Sequence, residues 1–156
     1  MPKSFSFIIF GASGDLTKRK LFPALLDLFS EKRLPEKFEI VGIGRTPYSD
    51  LEYRNYQLRQ LPKYIKPETW NEELVNSFIS HIRYETMDPA KEEGYYVLAK
   101  HLKASNSESV IYYLATPPLL YGVIPQHLKA FGLNDENTRI IVEKPFGYDL
   151  TSAKQL

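Results

Sequence analysis

The 156-residue sequence predicts a doubly wound α/β fold, a mostly parallel sheet with helices on both faces, and three observations lead there. Short apolar runs of strand length alternate with longer segments of helical period. The first run, Phe5 to Phe10, is almost continuously apolar, as a strand buried on both faces must be. The runs stop at loops that carry glycine or proline, so each strand ends where a crossover connection can begin.

Composition bounds the answer before any element is placed. The length suits one core and not two. Twenty basic residues stand against nineteen acidic, a net charge of +1, which excludes a general polyanion binder and predicts no nucleic-acid partner. There is no cysteine, so disulfide scaffolds, thiol chemistry and thiolate metal sites are excluded, and a reducing compartment fits. The apolar run after Met1-Pro2-Lys3-Ser4 is too short for a signal peptide or a membrane span, so a cytoplasmic protein with no membrane partner is expected.

The elements follow in order. After the first strand, Leu21, Leu25, Leu28 and Phe29 recur at helical spacing and predict a helix over about 16–32, with Pro35 at its exit. Phe38 to Ile43 reads as the second strand, ending at Gly44-Arg45-Thr46-Pro47. Ser49 with Glu52 is a capping-box signal for a helix reaching about Leu61. Trp70, Leu74 and Phe78 form the stripe of a further helix, and His81 to Thr86 is a weak third strand. Asp88-Pro89 reads as the N-cap and first turn of a helix ending near Lys103. Ser109 to Ala115 is a strand that runs into Thr116-Pro117-Pro118. Leu120, Ile124, Leu128 and Phe131 continue at helical spacing, with Pro125 either beginning that helix or kinking it. Arg139 to Val142 is the last strand, and Asp149 opens a helix that stops at Leu156 without a C-cap. That ending predicts that residues 1–156 are one domain, the leading portion of a longer protein.

The turn between the first strand and first helix is Gly11-Ala12-Ser13-Gly14-Asp15-Leu16-Thr17-Lys18-Arg19-Lys20. Two glycines allow a tight turn and close backbone approach, and the amide hydrogens at the start of the helix suit a pyrophosphate. The strand-turn-helix context is that of a Rossmann-like dinucleotide fold. The spacing departs from G-x-G-x-x-G, because the glycines are three apart and Thr17 stands where a third would fall. Lys18, Arg19 and Lys20 lie near the helix start, where the macrodipole disfavours cations by about 0.3–1 kcal/mol each in the first turn, so either an anion compensates them or they form a solvated basic patch.

Arg45 stands at the end of the second strand, where an acidic residue would bind the 2′-hydroxyl of NAD. An arginine there presents a donor fork matched to a 2′-phosphate and favours NADP; the other reading is an exposed loop arginine. Thr116-Pro117-Pro118 and Glu143-Lys144-Pro145 both fall at strand ends, where ligands lie in open sheets. Lys144 is open to two readings, a ligand for substrate or nicotinamide oxygens and a surface lysine. Pro145 is a candidate for the cis form. His81, His101 and His127 match no metal motif and read as structural, and no metal site is expected. Tyr95-Tyr96 and Tyr112-Tyr113 read as core and sheet packing.

Taken together, GASGDLTKRK, Gly44-Arg45, YLATPPLLY from Tyr113 to Tyr121 and RIIVEKPFGYDL from Arg139 to Leu150 resemble the glucose-6-phosphate dehydrogenase family, in order and at the family's spacing. Residues 51–106 resemble it only loosely. The resemblance implies oxidation of glucose 6-phosphate at C1 to the 6-phosphogluconolactone, with hydride passing to NADP⁺, in the oxidative pentose phosphate pathway. It implies that Gly11, Ala12, Ser13, Gly14, Asp15, Leu16, Thr17 and Lys18 cradle the pyrophosphate and that Arg45 binds the 2′-phosphate. Pro117, Pro118 and Tyr121 would flank the cofactor, Asp88 would neighbour the adenosine, Lys144 would touch both nicotinamide and sugar, and Pro145 would be the cis proline. It further implies a homo-oligomer when complete, and a general-base histidine in a second, substrate domain after residue 156. The chain alone is therefore expected to bind NADP weakly and to turn over glucose 6-phosphate negligibly. Two other readings stay open: an enzyme of the glucose-fructose oxidoreductase type, against which the GASGDL turn speaks, and a nucleotide-binding module without catalysis.

Overall fold

The computed structural model describes residues 2–142. Five parallel strands, β1 (Ser4–Phe10), β2 (Lys37–Gly44), β3 (Ile82–Thr86), β4 (Ser109–Leu114) and β5 (Thr138–Val142), form one sheet in the order β3-β2-β1-β4-β5. This is the doubly wound arrangement, in which the winding reverses between β1 and β4. The Glu143-Lys144-Pro145 loop, with its expected cis bond, and the helix expected at Asp149 lie outside the described residues.

The pleat of β1 divides the core. Phe5, Phe7 and Ile9 face α1 (Phe22–Ser30), α2 (Asp50–Gln60) and α3 (Glu72–Ile79), while Ile8 and Phe10 face α4 (Glu93–Ser105) and α5 (Val123–Ala130). Both sets are buried, which is why Ser6, itself buried, is the one polar residue between Phe5 and Phe10. β5 leaves Ile140, Ile141 and Val142 partly exposed, uncovered by the described residues.

Three elements depart from expectation. Helical structure begins at Asp15, but Thr17–Leu21 is a π-turn, in which the Phe22 N–H bonds the Thr17 carbonyl. Pro23 has no N–H for the Arg19 carbonyl, so the regular ladder cannot run through this point and slips by one residue. Asp88 does not cap α4, which starts only at Glu93. Its carboxylate instead accepts the Ala90 N–H at 2.9 Å and its carbonyl the Lys91 N–H at 3.0 Å, so the local turn outcompetes the helix. α3 starts at Glu72 with Asn71 as N-cap, so Trp70 packs on the core from just outside the helix. The Ser49–Glu52 capping box is present in both directions. Pro125 sits in the first turn of α5, where its missing N–H would have no intrahelical partner anyway.

Candidate functional site

The reversal of winding opens a cavity of about 530 Å³ beyond the carboxyl ends of β1, β2 and β4. Gly11, Ser13 and Gly14 form one wall, Gly44, Arg45 and Thr46 a second, Asp88, Pro89 and Ala90 a third, and Ala115 to Pro117 with Leu119 and Leu120 a fourth. Residues separated by a hundred positions in sequence meet here because their strands are neighbours.

The glycine turn is held from every side. Gly11 has φ +98°, and a Cβ there would lie 2.2 Å from the Ala115 carbonyl oxygen, so only glycine lets β1 turn against the end of β4. The Gly11 and Ala12 N–H groups both donate to the Ile43 carbonyl, at 3.0 and 2.9 Å, and the Gly14 N–H donates to the Gly11 carbonyl at 3.1 Å. The Thr17 hydroxyl, fully buried, donates to the same Gly11 carbonyl at 2.8 Å. Beyond Gly14 the helix opens, and the N–H groups of its first turn have no intrahelical acceptor. Such a concave set of backbone donors suits an anion.

Arg45 follows directly on β2, exposed, with no side-chain hydrogen bond or ion pair among the described residues. The Tyr84 hydroxyl fixes this loop by donating to the Thr46 carbonyl at 2.5 Å, and the Tyr84 N–H donates to Asp50 at 2.7 Å. Burial pushes the Tyr84 phenol up to about 12, so it stays a neutral donor.

Of the residues singled out in the sequence, Gly11, Ser13, Gly14, Arg45, Asp88 and Pro117 line this cavity together. Ala12 is buried behind it, Thr17 braces the turn, and Asp15, Leu16, Lys18, Pro118 and Tyr121 stand off its wall. Of the basic cluster, Arg19 is paired to Asp15 at 3.0 Å, an exposed pair one helical turn apart. Lys144 lies outside the described residues. Leu119, 83% exposed, and the Thr116 hydroxyl, buried without a partner among the described residues, are further parts of the wall. Two adjacent leucines after a Pro-Pro stop were the available signal for an apolar wall.

The histidines are all engaged away from the cavity. His81 stacks on Phe38 with centroids 4.0 Å apart, and His127 stacks on Tyr95 at 4.7 Å. His101 lies 2.8 Å from Glu39, whose carboxylate also accepts from Ser6 at 2.6 Å. That hydrogen bond raises the pKa of His101. Burial works to raise Glu39, but the bonds from His101 and Ser6 carry it below the usual carboxylate value. Tyr95 and Tyr112 are core residues as expected, whereas Tyr96 is 61% exposed and only edges onto Phe131. No group of acidic residues and histidines that could hold a metal occurs among the described residues, and no helix there is long and apolar enough to cross a membrane.

Comparison with known proteins completes this geometry. The family model described as glucose-6-phosphate dehydrogenase, NAD binding domain, matches residues 8–156, including the middle segment that carries little recognisable pattern. Glucose-6-phosphate 1-dehydrogenase from Aggregatibacter actinomycetemcomitans is 43% identical over 96% of the chain and 31% of its own length. The Aspergillus niger protein of the same name is 40% identical over 96% of the chain and 30% of its length. A solved glucose-6-phosphate dehydrogenase in complex with its substrate glucose-6-phosphate superposes with a TM-score of 0.83 at 34% identity, covering 99% of the chain and 33% of that structure. The chain thus spans about a third of the length of these relatives. By the family match and these identities, the chain belongs to the glucose-6-phosphate dehydrogenase family, in its NAD-binding domain.

Proposed function

We propose that the chain is the cofactor-binding part of an NADP-dependent glucose-6-phosphate dehydrogenase, which oxidises glucose 6-phosphate at C1 to 6-phosphoglucono-1,5-lactone. The observation that carries this reading is the convergence of the glycine turn and Arg45 on one cavity at the topological switch point. The residues fit a dinucleotide with a 2′-phosphate. Backbone donors at the turn meet the pyrophosphate, the exposed guanidinium of Arg45 meets the 2′-phosphate, and Asp88 with Leu119 and Leu120 flanks the adenosine. Pro117, Pro118 and Tyr121 flank the cofactor, and Lys144 touches nicotinamide and sugar.

When bound, NADP⁺ supplies the hydride acceptor. The chain's own residues bind and orient it. Removal of hydride from C1 also requires a base for the hydroxyl proton, and none of the three histidines lines the cavity. The base belongs, on this reading, to a substrate domain after residue 156, so the chain alone turns over negligibly. On the same reading the complete protein is a cytoplasmic homo-oligomer of the oxidative pentose phosphate pathway.

Calorimetric titration of the chain with NADP⁺ and with NAD⁺ tests the binding claim. Saturable binding of NADP⁺, tighter than that of NAD⁺, is the expected result; no heat and no melting shift with either would remove the reading. NADPH formation by the chain alone would overturn the assignment of the base to another domain.

A further inference from the structure

We propose that Tyr53 and Gln57 of α2 are positioning residues for the anion site: by holding the Ala12 carbonyl they aim the Ser13 N–H at the phosphates of the dinucleotide. This rests on the dinucleotide reading above and adds residues that touch no ligand. The Tyr53 ring is fully buried, and its hydroxyl donates to the Ala12 carbonyl at 2.7 Å. Gln57, one turn further along α2 and equally buried, donates to the Tyr53 oxygen at 3.0 Å and lies 3.5 Å from the same carbonyl.

In a trans peptide the C=O and the following N–H point in opposite directions, and no cis bond occurs among the described residues. Drawing the Ala12 oxygen toward α2 therefore turns the Ser13 N–H away from α2. No residue of α2 lines the cavity, whereas Ser13 does. The N–H groups of Gly11, Ala12 and Gly14 are all spent on carbonyls within the fold. That of Ser13 makes no hydrogen bond among the described residues, so between Gly11 and Gly14 it is the N–H left to join those of the helix's first turn as a donor.

The clamp is built at a cost that packing alone does not explain. Phenylalanine and leucine would fill the same volume without polar atoms to satisfy, yet the Gln57 carbonyl oxygen is buried with no partner among the described residues. β2 gives up a side chain to admit the ring, since a Cβ on Gly42 would lie 2.9 Å from both the Tyr53 ring and the Ala12 Cβ.

The test compares NADP⁺ with adenosine 2′-monophosphate, which carries the 2′-phosphate but no pyrophosphate, in calorimetric titrations of Tyr53→Phe and Gln57→Leu. Tyr53→Phe is expected to weaken NADP⁺ about tenfold while leaving adenosine 2′-monophosphate unchanged, and Gln57→Leu to act in the same direction but less. Equal loss for both ligands, the mark of a merely structural role, overturns the proposal, as does undiminished NADP⁺ binding. Should Tyr53→Phe not fold, the Ser13 amide resonance of the wild-type protein decides: it moves downfield with NADP⁺ and not with adenosine 2′-monophosphate, and an unmoved resonance overturns the proposal. Wild-type protein that binds no NADP⁺ takes down the functional reading as well, whereas normal wild-type binding with an unaffected variant removes only this inference.

Discussion

Gly11 carries two constraints, a positive φ and the contact with Ala115, and a methyl group violates both. Gly11→Ala is expected to destabilise the protein by at least about 2 kcal/mol in urea unfolding, because the obstacle is backbone that cannot swing aside. An unchanged unfolding midpoint would show that β1 and β4 can separate without cost. This residue was legible in the sequence, since a glycine directly after a buried strand has few other uses. Tyr53 was not. It reaches the turn across 41 positions through a hydrogen bond to a carbonyl, and neither spacing nor residue type announces such a contact. Asp88 was half legible: its place at the end of β3 brings it to the cavity wall, but its carboxylate serves its own turn and caps no helix.

Among the elements, α2 has the clearest local code and a function that depends on it. Its apolar pattern is poor, and the reciprocal Ser49–Glu52 bonds fix where it starts. Ser49→Ala should cost about 1 kcal/mol of stability. Because Tyr53 and Gln57 follow within two turns, fraying at that end would loosen the grip on the glycine turn; amide exchange across α2 should speed up in the variant, and unchanged exchange would show that tertiary packing alone holds the helix. The first helix shows the opposite case. Its apolar spacing was readable, but the π-turn was not, because it arises from Pro23 interrupting a ladder that periodicity assumes to be continuous. The start of α4 was misplaced for a related reason, as an aspartate before proline serves a turn as readily as a helix.

At the scale of the whole molecule, a polar cluster between the sheet and α4 sets the pH response. Burial pushes Glu85 on β3 up to about 7, only partly opposed by His101, and one of its oxygens is buried without a partner among the described residues. The native state therefore holds that proton more tightly than the unfolded chain, whose value is near 4.5, and stability falls as pH rises through this window to about 7. His101, raised by Glu39, adds stability that is complete below 6.5 and lost as pH rises through its higher folded value. Glu39 acts in the opposite sense, its contribution disappearing only as pH falls below the carboxylate range. Glu85→Gln should raise stability at pH 8 by about 1 kcal/mol, allowing for solvent screening of a half-buried group, and change little at pH 5. A variant that loses equally at both values would show that the carboxylate is needed for packing. The alternation of strands and helices made the doubly wound class readable, but the cluster was not, because Glu39, Glu85 and His101 come from three elements whose register only the assembled sheet defines.

The central claim is that backbone donors at the opening turn and the Arg45 guanidinium together hold a dinucleotide bearing a 2′-phosphate. The ratio of NADP⁺ to NAD⁺ affinity, measured in the wild-type protein and in Arg45→Asp, tests it most directly. The account predicts that the variant loses most of its NADP⁺ affinity and little of its affinity for NAD⁺, so that the ratio collapses. Equal losses for both cofactors, with the fold intact, would contradict it.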